Sequence, residues 1–336
     1  MNETQKPFVS ICCITYNQEK YIKDAIEGFL MQKTEFPFEI IIHDDASTDM
    51  TADIVREYEK KYPEKIKPIY QTENQYSKGV KPIVMPLKAS RGKYIALCDG
   101  DDYWTDSLKL KKQITEMEKN PECHISFHPA MAKCDDGTKG NTIIGLHSKA
   151  TKIFSTEEVI LGGGGFIPTA SIVINKSVVP RISSFFDLIQ HSPVGDYFIQ
   201  ILGAENGGAL YLSDIMSVYR INATGSFSER SNEDSQFLSL FAISYLDNLK
   251  KMDTFTNYKY TEPLTINKRK FVSSIIISLH YDSKTKENIF NLYWNEISIK
   301  DKILWNSVYK HPKVVKNLIK IRILVKGFLF YLGIKR

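Results

Sequence analysis

The 336-residue sequence lacks any run of roughly 20 apolar residues of the kind that crosses a bilayer. The nearest stretch, IRILVKGFLFYLGI at 321–334, is interrupted by Arg322 and Lys326. The opening MNETQKPF is polar and reads as no secretory leader. Cysteine is scarce and odd in number, with Cys12, Cys13, Cys98, Cys123 and Cys134 and no C-x-x-C spacing. That excludes a disulfide framework or a thiolate zinc site. Four of the five lie in or beside apolar, strand-like runs, so thiols serving as small core residues in a reduced, cytosolic protein are expected. The seven histidines form no metal-ligand pattern, and His43 and His128, beside strands, read as packed. The glycine run 162–165 is not followed by GK[ST] and is no P-loop. A formal charge of +5 suits an anionic ligand or a membrane surface. With no RRM, zinc-finger or helix-turn-helix signature, nucleic acid is not expected as a partner.

What is present is an alternation. FVSICCIT at 8–15 and FEIIIHDD at 38–45 are short, apolar and rich in β-branched residues, as buried strands are. KYIALC at 93–98 reads the same way, and IKPIYQ at 66–71 reads as an edge strand because it contains Pro68. Between them, Ile22, Ala25, Ile26, Phe29 and Leu30 fall at helical spacing, as do Ile54, Val55, Tyr58 and Tyr62, then Leu110, Ile114 and Met117. Such an order predicts βαβ units and a parallel sheet, whose ligands bind beyond the carboxyl ends of the strands. Further on, TASIVIN and ALYLSDIMSVYRI read as strand pieces, PVGDYFIQILGAEN reads as a helix, and DDGTKGN at 135–141 reads as a turn-rich loop. From about residue 230 the pattern becomes helical, which predicts a boundary there.

Three predicted strand ends carry polar clusters: TYN at 15–17, DDASTD at 44–49 and DGDD at 99–102. Like charges packed as closely as Asp99, Asp101 and Asp102 repel and resist burial. A divalent cation reverses that penalty. Mg²⁺ or Mn²⁺ takes one or two carboxylates and completes its shell with waters and substrate phosphates. A solvated acidic turn is the plain alternative, and a short motif alone does not decide between them. A phosphohydrolase of the DxDx[TV] type needs Thr or Val where Tyr103 stands, and places its motif on the first strand rather than the fourth.

Taken together, VSICCITYNQEKYI, EIIIHDDASTDMTADIV and RGKYIALCDGDDYWTDSLKLKKQ resemble the nucleotide-sugar-binding half of family 2 glycosyltransferases. The resemblance is strong over 9–120 and weaker to 227, through GDY and YRINATGSFS. It implies the GT-A fold, a Rossmann-like mixed α/β sheet flanked by helices, here with a helical C-terminal extension. It places nucleotide-sugar binding at about 1–120, the acceptor side at 121–230 and the helical region at 231–336. The implied activity is inverting transfer of a hexose or N-acetylhexosamine from a nucleoside diphosphate sugar, UDP-sugar favoured, in bacterial cell-surface polysaccharide synthesis. The implied acceptor is a glycan or lipid-linked glycan, and the implied cofactor is Mn²⁺ or Mg²⁺. Thr15, Tyr16 and Asn17 would meet the base and ribose. Asp45 would read the base, because a carboxylate accepts the imide N–H of uracil. Asp99 would lie near ribose and diphosphate, and Asp101 would be the principal metal ligand. Lys78 would join the nucleotide-binding residues, facing phosphate, and Asp102, Arg91, Arg220 and Asn222 would be phosphate or sugar contacts. Asn222 stands where many relatives have a histidine, which weakens ligation from that loop. Asp196, in GDY at a helix start, matches the general base, and the helix N-terminus favours its ionised form. A non-catalytic nucleotide-sugar binder would keep Asp45 and Asp101 without needing Asp196. The basic, apolar stretch 311–336 reads either as a peripheral contact with the inner face of the membrane or as a helix packed on the domain.

Overall fold

The computed structural model describes residues 6–134, 141–193, 195–278, 280–297 and 299–310. The stretch 311–336, Val194 and most of the 135–141 loop lie outside the described residues. The first half alternates as expected: β1 (Val9–Thr15), α1 (Ile22–Leu30), β2 (Phe38–Asp44), α2 (Thr51–Lys61), β3 (Ile66–Tyr70), α3 (Val84–Ala89), β4 (Tyr94–Asp99), β5 (Tyr103–Trp104) and α4 (Lys109–Lys119). The middle is built of short pieces: β6 (Ile125–Phe127), β7 (Ala130–Cys134), β8 (Thr142–Ile144), β9 (Lys152–Phe154), α5 (Thr156–Gly162), β10 (Val173–Asn175), α6 (Val179–Leu188), α7 (Asp196–Ala204), β11 (Ala209–Tyr211) and β12 (Ser217–Ile221). Helices follow: α8 (Phe227–Glu233), α9 (Ser235–Phe255), α10 (Thr261–Ile277), α11 (Ser283–Leu292) and α12 (Ile299–Lys310).

The main sheet runs β3-β2-β1-β4-β10-β6-β11-β9. Strands β3, β2, β1 and β4 are parallel, β10 is antiparallel to both its neighbours, and β9 closes the far edge antiparallel to β11. Pro68 sits on β3, the edge strand, where its missing N–H costs nothing. A second sheet, β5-β12-β7-β8, stands beside the first.

The period of two along a strand explains the two cores. Val9, Ile11 and Cys13 of β1 join Ile40, Ile42, Ala96 and Cys98 against α1 and α4. Cys12, with Ile41, Ile95 and Leu97, joins the opposite layer with Phe185, Tyr197 and Phe198. The five cysteines are free and buried, as small core residues are. α9 and α10 add Tyr245, Leu249, Met252 and Leu264 to this second core. The rings of Tyr245 and Tyr197 stack 5.6 Å apart, so the helical part braces α7 directly. No helix among the described residues is long and apolar enough to cross a membrane.

Candidate active site

The order of the parallel strands reverses between β1 and β4, which opens a crevice at their carboxyl ends. Register pairs Ile14 with Asp99, so Thr15 and the DGDD turn emerge side by side. The Gly100 N–H donates to the Ile14 carbonyl at 2.9 Å. A Cβ on Gly100 would lie 2.4 Å from Gln18 Oε1 and 2.8 Å from Thr15 Oγ1, which is why glycine separates the first two carboxylates. Thr15 Oγ1 donates to Gln18 Oε1 at 2.8 Å, and the Thr15 carbonyl accepts the Asp45 N–H at 3.0 Å. Asn17, at φ 52°, accepts the Thr48 N–H at 2.8 Å on its Oδ1. The loops after β1 and β2 are thereby fastened together, with the Tyr16 ring left 43% exposed. Asp45 is buried, and its two carboxylate oxygens accept the N–H groups of Gln75 and Tyr76 at 2.7 and 3.0 Å. Asp49 accepts the Thr51 N–H at 2.9 Å at the start of α2, as a capping residue does.

Asp102 is buried, Asp101 nearly so, and Asp99 half-buried. Burial raises the Asp99 carboxyl to about 8, with the charges of Asp101 and Asp196 adding to it. Burial, then Asp101 and Asp99, pushes Asp102 up as well, against an N–H donated by Arg220 at 2.9 Å. This is a cluster with more negative charge than its surroundings offset. Nearby, Asp44 Oδ1 is buried with no hydrogen-bond partner among the described residues. Those residues contain no ready-made cage of three or more His, Cys, Asp or Glu side chains. Oxygen donors with excess charge and an incomplete cage fit Mg²⁺ or Mn²⁺, which is bound through one or two carboxylates and otherwise by water and phosphate.

Asp196 is the first residue of α7 and lies across from this rim, open to solvent though crowded by protein. Its Oδ2 accepts from Thr169 Oγ1 at 3.2 Å and its Oδ1 from the Tyr197 N–H at 2.9 Å. The helix N-terminus alone points to a depressed carboxyl. The structure differs: loss of hydration outweighs these donors and the nearby Lys81, so Asp196 sits above its ordinary value. A carboxylate so raised is the stronger base. Tyr219 on β12 faces Asp102, Asp101 and Asp196, and its phenol is pushed up to about 12, chiefly by burial.

Four expected contacts are placed otherwise. Arg91 precedes β4 and therefore lies at the opposite end of the sheet, where it pairs with Glu39 at 2.6 Å. Lys78 turns outward and pairs with Glu73 on the surface. Arg220 is buried and turned inward: its guanidinium donates to the Asp101 carbonyl at 2.7 Å and pairs with Asp24. It lies between the rings of Tyr21 and Tyr103, at 5.0 and 4.5 Å, and so clamps the acidic turn from behind. Asn222, at φ 60°, accepts on its Oδ1 from Asn232 Nδ2 at 3.0 Å, toward α8. Lys81 and Tyr219, which no local pattern singles out, are brought to the cleft instead.

The family model described as "Glycosyl transferase family 2" matches residues 10–177, half of the chain. The protein belongs to that family. It is 37% identical over 230 residues to an uncharacterized protein of Mycobacterium tuberculosis, Rv1520, covering 68% of this chain and 63% of that one. The chain thus spans less than two thirds of that relative's length. It is 34% identical over 157 residues to a putative teichuronic acid biosynthesis glycosyltransferase of Bacillus subtilis, TuaG, covering 47% and 60% of the two chains. Among solved structures, TarS 1–349 of S. aureus in complex with UDP-GlcNAc superposes with a TM-score of 0.54 over 91% of each chain, at 16% identity. At that identity the likeness concerns architecture alone, and the architecture is GT-A: a mixed sheet flanked by helices with a helical C-terminal part.

Proposed function

We propose that this family 2 glycosyltransferase is a metal-dependent, inverting enzyme. It moves a hexose or N-acetylhexosamine from a nucleoside diphosphate sugar, UDP-sugar favoured, to a glycan or lipid-linked glycan during cell-surface polysaccharide synthesis, in the cytoplasm at the inner face of the membrane. The donor and polymer classes draw support from the names of the relatives TuaG and TarS, the latter a poly(ribitol-phosphate) beta-N-acetylglucosaminyltransferase. In this reading residues 1–230 are the catalytic part and 231–336 a separate C-terminal region, of which α9 and α10 brace the catalytic part.

Thr15, Tyr16 and Asn17 line the base and ribose, with the exposed Tyr16 ring available for stacking. Asp45 spends two of its roughly four acceptor positions on Gln75 and Tyr76 and keeps the others for the imide N–H of uracil. Asp99 lies beside the ribose and diphosphate, and Asp101, with Asp102 near it, would hold Mg²⁺ or Mn²⁺. When bound, the cation neutralises the diphosphate and makes it a better leaving group. Asp196 takes the proton of the acceptor hydroxyl as its oxygen bonds to the anomeric carbon and the bond to the diphosphate oxygen breaks. The observation that supports this reading is the placement of Asp196, exposed at the first position of α7, opposite the acidic rim. Asp196→Asn is expected to abolish UDP release from UDP-glucose and UDP-N-acetylglucosamine in Mn²⁺ while leaving the Kd for UDP within about twofold, because a base acts on the barrier and not on donor binding. Retained turnover would remove Asp196 from this role.

A further inference from the structure

The segment entering α7 is held at three points, two of them on the donor side. Tyr76–Lys78 forms one tight turn closed by Gly79 in the left-handed region, at φ 83°. The Gly79 carbonyl accepts the His191 N–H at 2.9 Å, and the His191 ring fills the space a Cβ on Gly79 would need, its Nδ1 2.0 Å from that position. Beyond the turn Lys81 runs inward, 7% exposed, and its ammonium donates to the Ser192 carbonyl. From the other flank Asn248 of α9 donates to Ser192 Oγ at 2.7 Å. The Lys81 stem passes Gly195, and its charge faces Asp196. Burial drives the Lys81 ammonium down to about 8, with the charge of Asp196 opposing the shift. The turn segment that carries Lys81 is gripped at its other end by Asp45, through Gln75 and Tyr76.

We propose that Lys81 is a positioning residue for sugar transfer: it fixes the stretch around His191 and Ser192 that leads into α7, and with it the Asp196 carboxylate, at a set distance from the donor-binding loops. The proposal rests on the reading of Asp196 as base. In-line attack demands such a fixed distance, since a displacement of about 1 Å can cost on the order of a hundredfold in rate. Lys81 acts through the Ser192 carbonyl that it holds, so its loss is expected to lower turnover rather than donor affinity. Asn248 holds the same segment from the helical side, which assigns α9 a share in catalysis without bringing it to the substrate.

The test uses the full chain and UDP release from UDP-glucose and UDP-N-acetylglucosamine in Mn²⁺, with UDP titrations alongside. Lys81→Met is expected to lower kcat about a hundredfold with KM for the donor and Kd for UDP within about twofold. Lys81→Arg, which keeps a donor and a charge, is expected to recover most of the loss. Asn248→Ala, which leaves Lys81 in place, is expected to lower kcat about tenfold with the same unchanged Kd. An unchanged kcat in Lys81→Met overturns the proposal. So does a parallel loss of kcat and UDP affinity that arginine does not rescue, because that is the mark of a damaged fold. If Asp196→Asn retains turnover, the base reading fails and this one with it. If Asp196→Asn is dead while Lys81→Met is fully active, only the role of Lys81 falls.

Discussion

The two ends of the parallel strands differ in charge and in how that charge is balanced. At the carboxyl ends stand Asp44, Asp45, Asp99, Asp101 and Asp102, with the Asp99 and Asp102 carboxyls forced upward by burial and then by Asp101. At the amino ends lies a hollow of about 750 Å³, lined by Lys33, Lys65, Lys67 and Arg91 together with Glu39 and Glu64. The cations there are largely satisfied. Arg91 pairs with Glu39, Lys67 donates to the Pro63 carbonyl at 2.8 Å, and Lys65 lies 4.5 Å over the Phe38 ring. α1 and α3 also end at this pole, and the carbonyls of helix C-termini favour positive charge. A roomy hollow whose charges are matched is a consequence of how helices pack on a sheet. A rim of crowded carboxylates is what the proposed function would use to hold a ligand. The proposed chemistry therefore uses the acidic rim and not the hollow.

Two substitutions, one at each pole, test this contrast most severely. Asp101→Asn is expected to reduce UDP release by about a thousandfold or more, the loss of several kcal/mol of charge stabilisation in the transition state. It should also abolish the Mn²⁺-dependent rise in melting temperature that UDP produces. Arg91→Ala is expected to leave turnover and UDP binding unchanged. In chemical denaturation it should cost about 1–2 kcal/mol, less than breaking a fully buried pair because Arg91 is itself half exposed. Glu39, whose side chain is 4% exposed, would still be held by Ser10 Oγ at 2.7 Å and by the Arg91 N–H at 2.9 Å. Loss of UDP binding in Arg91→Ala would move the site to the basic pole.

The acidic rim could be read from the chain because each cluster follows directly on an apolar run, and parallel strands buried on both faces leave such runs unbroken. Arg91 could have been excluded by the same logic: a residue that precedes a parallel strand lies at the far end from residues that follow it. Lys78 and Lys81 could not be told apart, since Gly79 in its left-handed turn decides which of them faces inward. The direction of Arg220 depends on β12 lying between β5 and β7, and no local pattern reveals that pairing. Strands of three residues, such as β6, β9 and β11, are too short to announce themselves by periodicity. The change of pattern near residue 230 is real, for only helices follow β12 among the described residues. The stacking of Tyr245 on Tyr197 and the grip of Asn248 on Ser192 are long-range contacts that a change of pattern does not contain.

A smaller effect measures how far the acidic rim's field reaches into the core. His43 immediately precedes Asp44, is fully buried, and has no partner for either ring nitrogen among the described residues. Burial pushes its pKa below the ordinary value, while Asp45 and Asp44 pull the other way without prevailing. The unfolded chain therefore takes up a proton near pH 6.5 that the folded one refuses, and stability falls as pH drops through that window. His128, lowered still further by burial, adds to the same slope. His43→Leu is expected to raise the melting temperature more at pH 5.5 than at pH 7.5, and to reduce the acid slope without removing it. An equal rise at both values would mean that the carboxylates restore an ordinary imidazole.

The smallest expected effect concerns backbone strain, which also separates the two poles. Left-handed non-glycine residues surround the cleft at Asn17, Ala46, His191 and Asn222. Among the described residues that line the basic hollow there are none. Asparagine tolerates this region, but alanine at φ 63° pays roughly 1 kcal/mol for it. Strain of that kind persists only where the surroundings enforce it, and here it aims the carboxylate of Asp45 at the N–H groups of Gln75 and Tyr76. Ala46→Gly relieves the strain but frees the unfolded chain, so the net gain in stability should be only about 0.5 kcal/mol. UDP affinity should stay within about twofold, since the Thr15 carbonyl still fixes the Asp45 N–H. A marked fall in affinity would show that the loop depends on the methyl group itself for its shape, and that the strain at this pole is structural in the strict sense that removing it disorders the site.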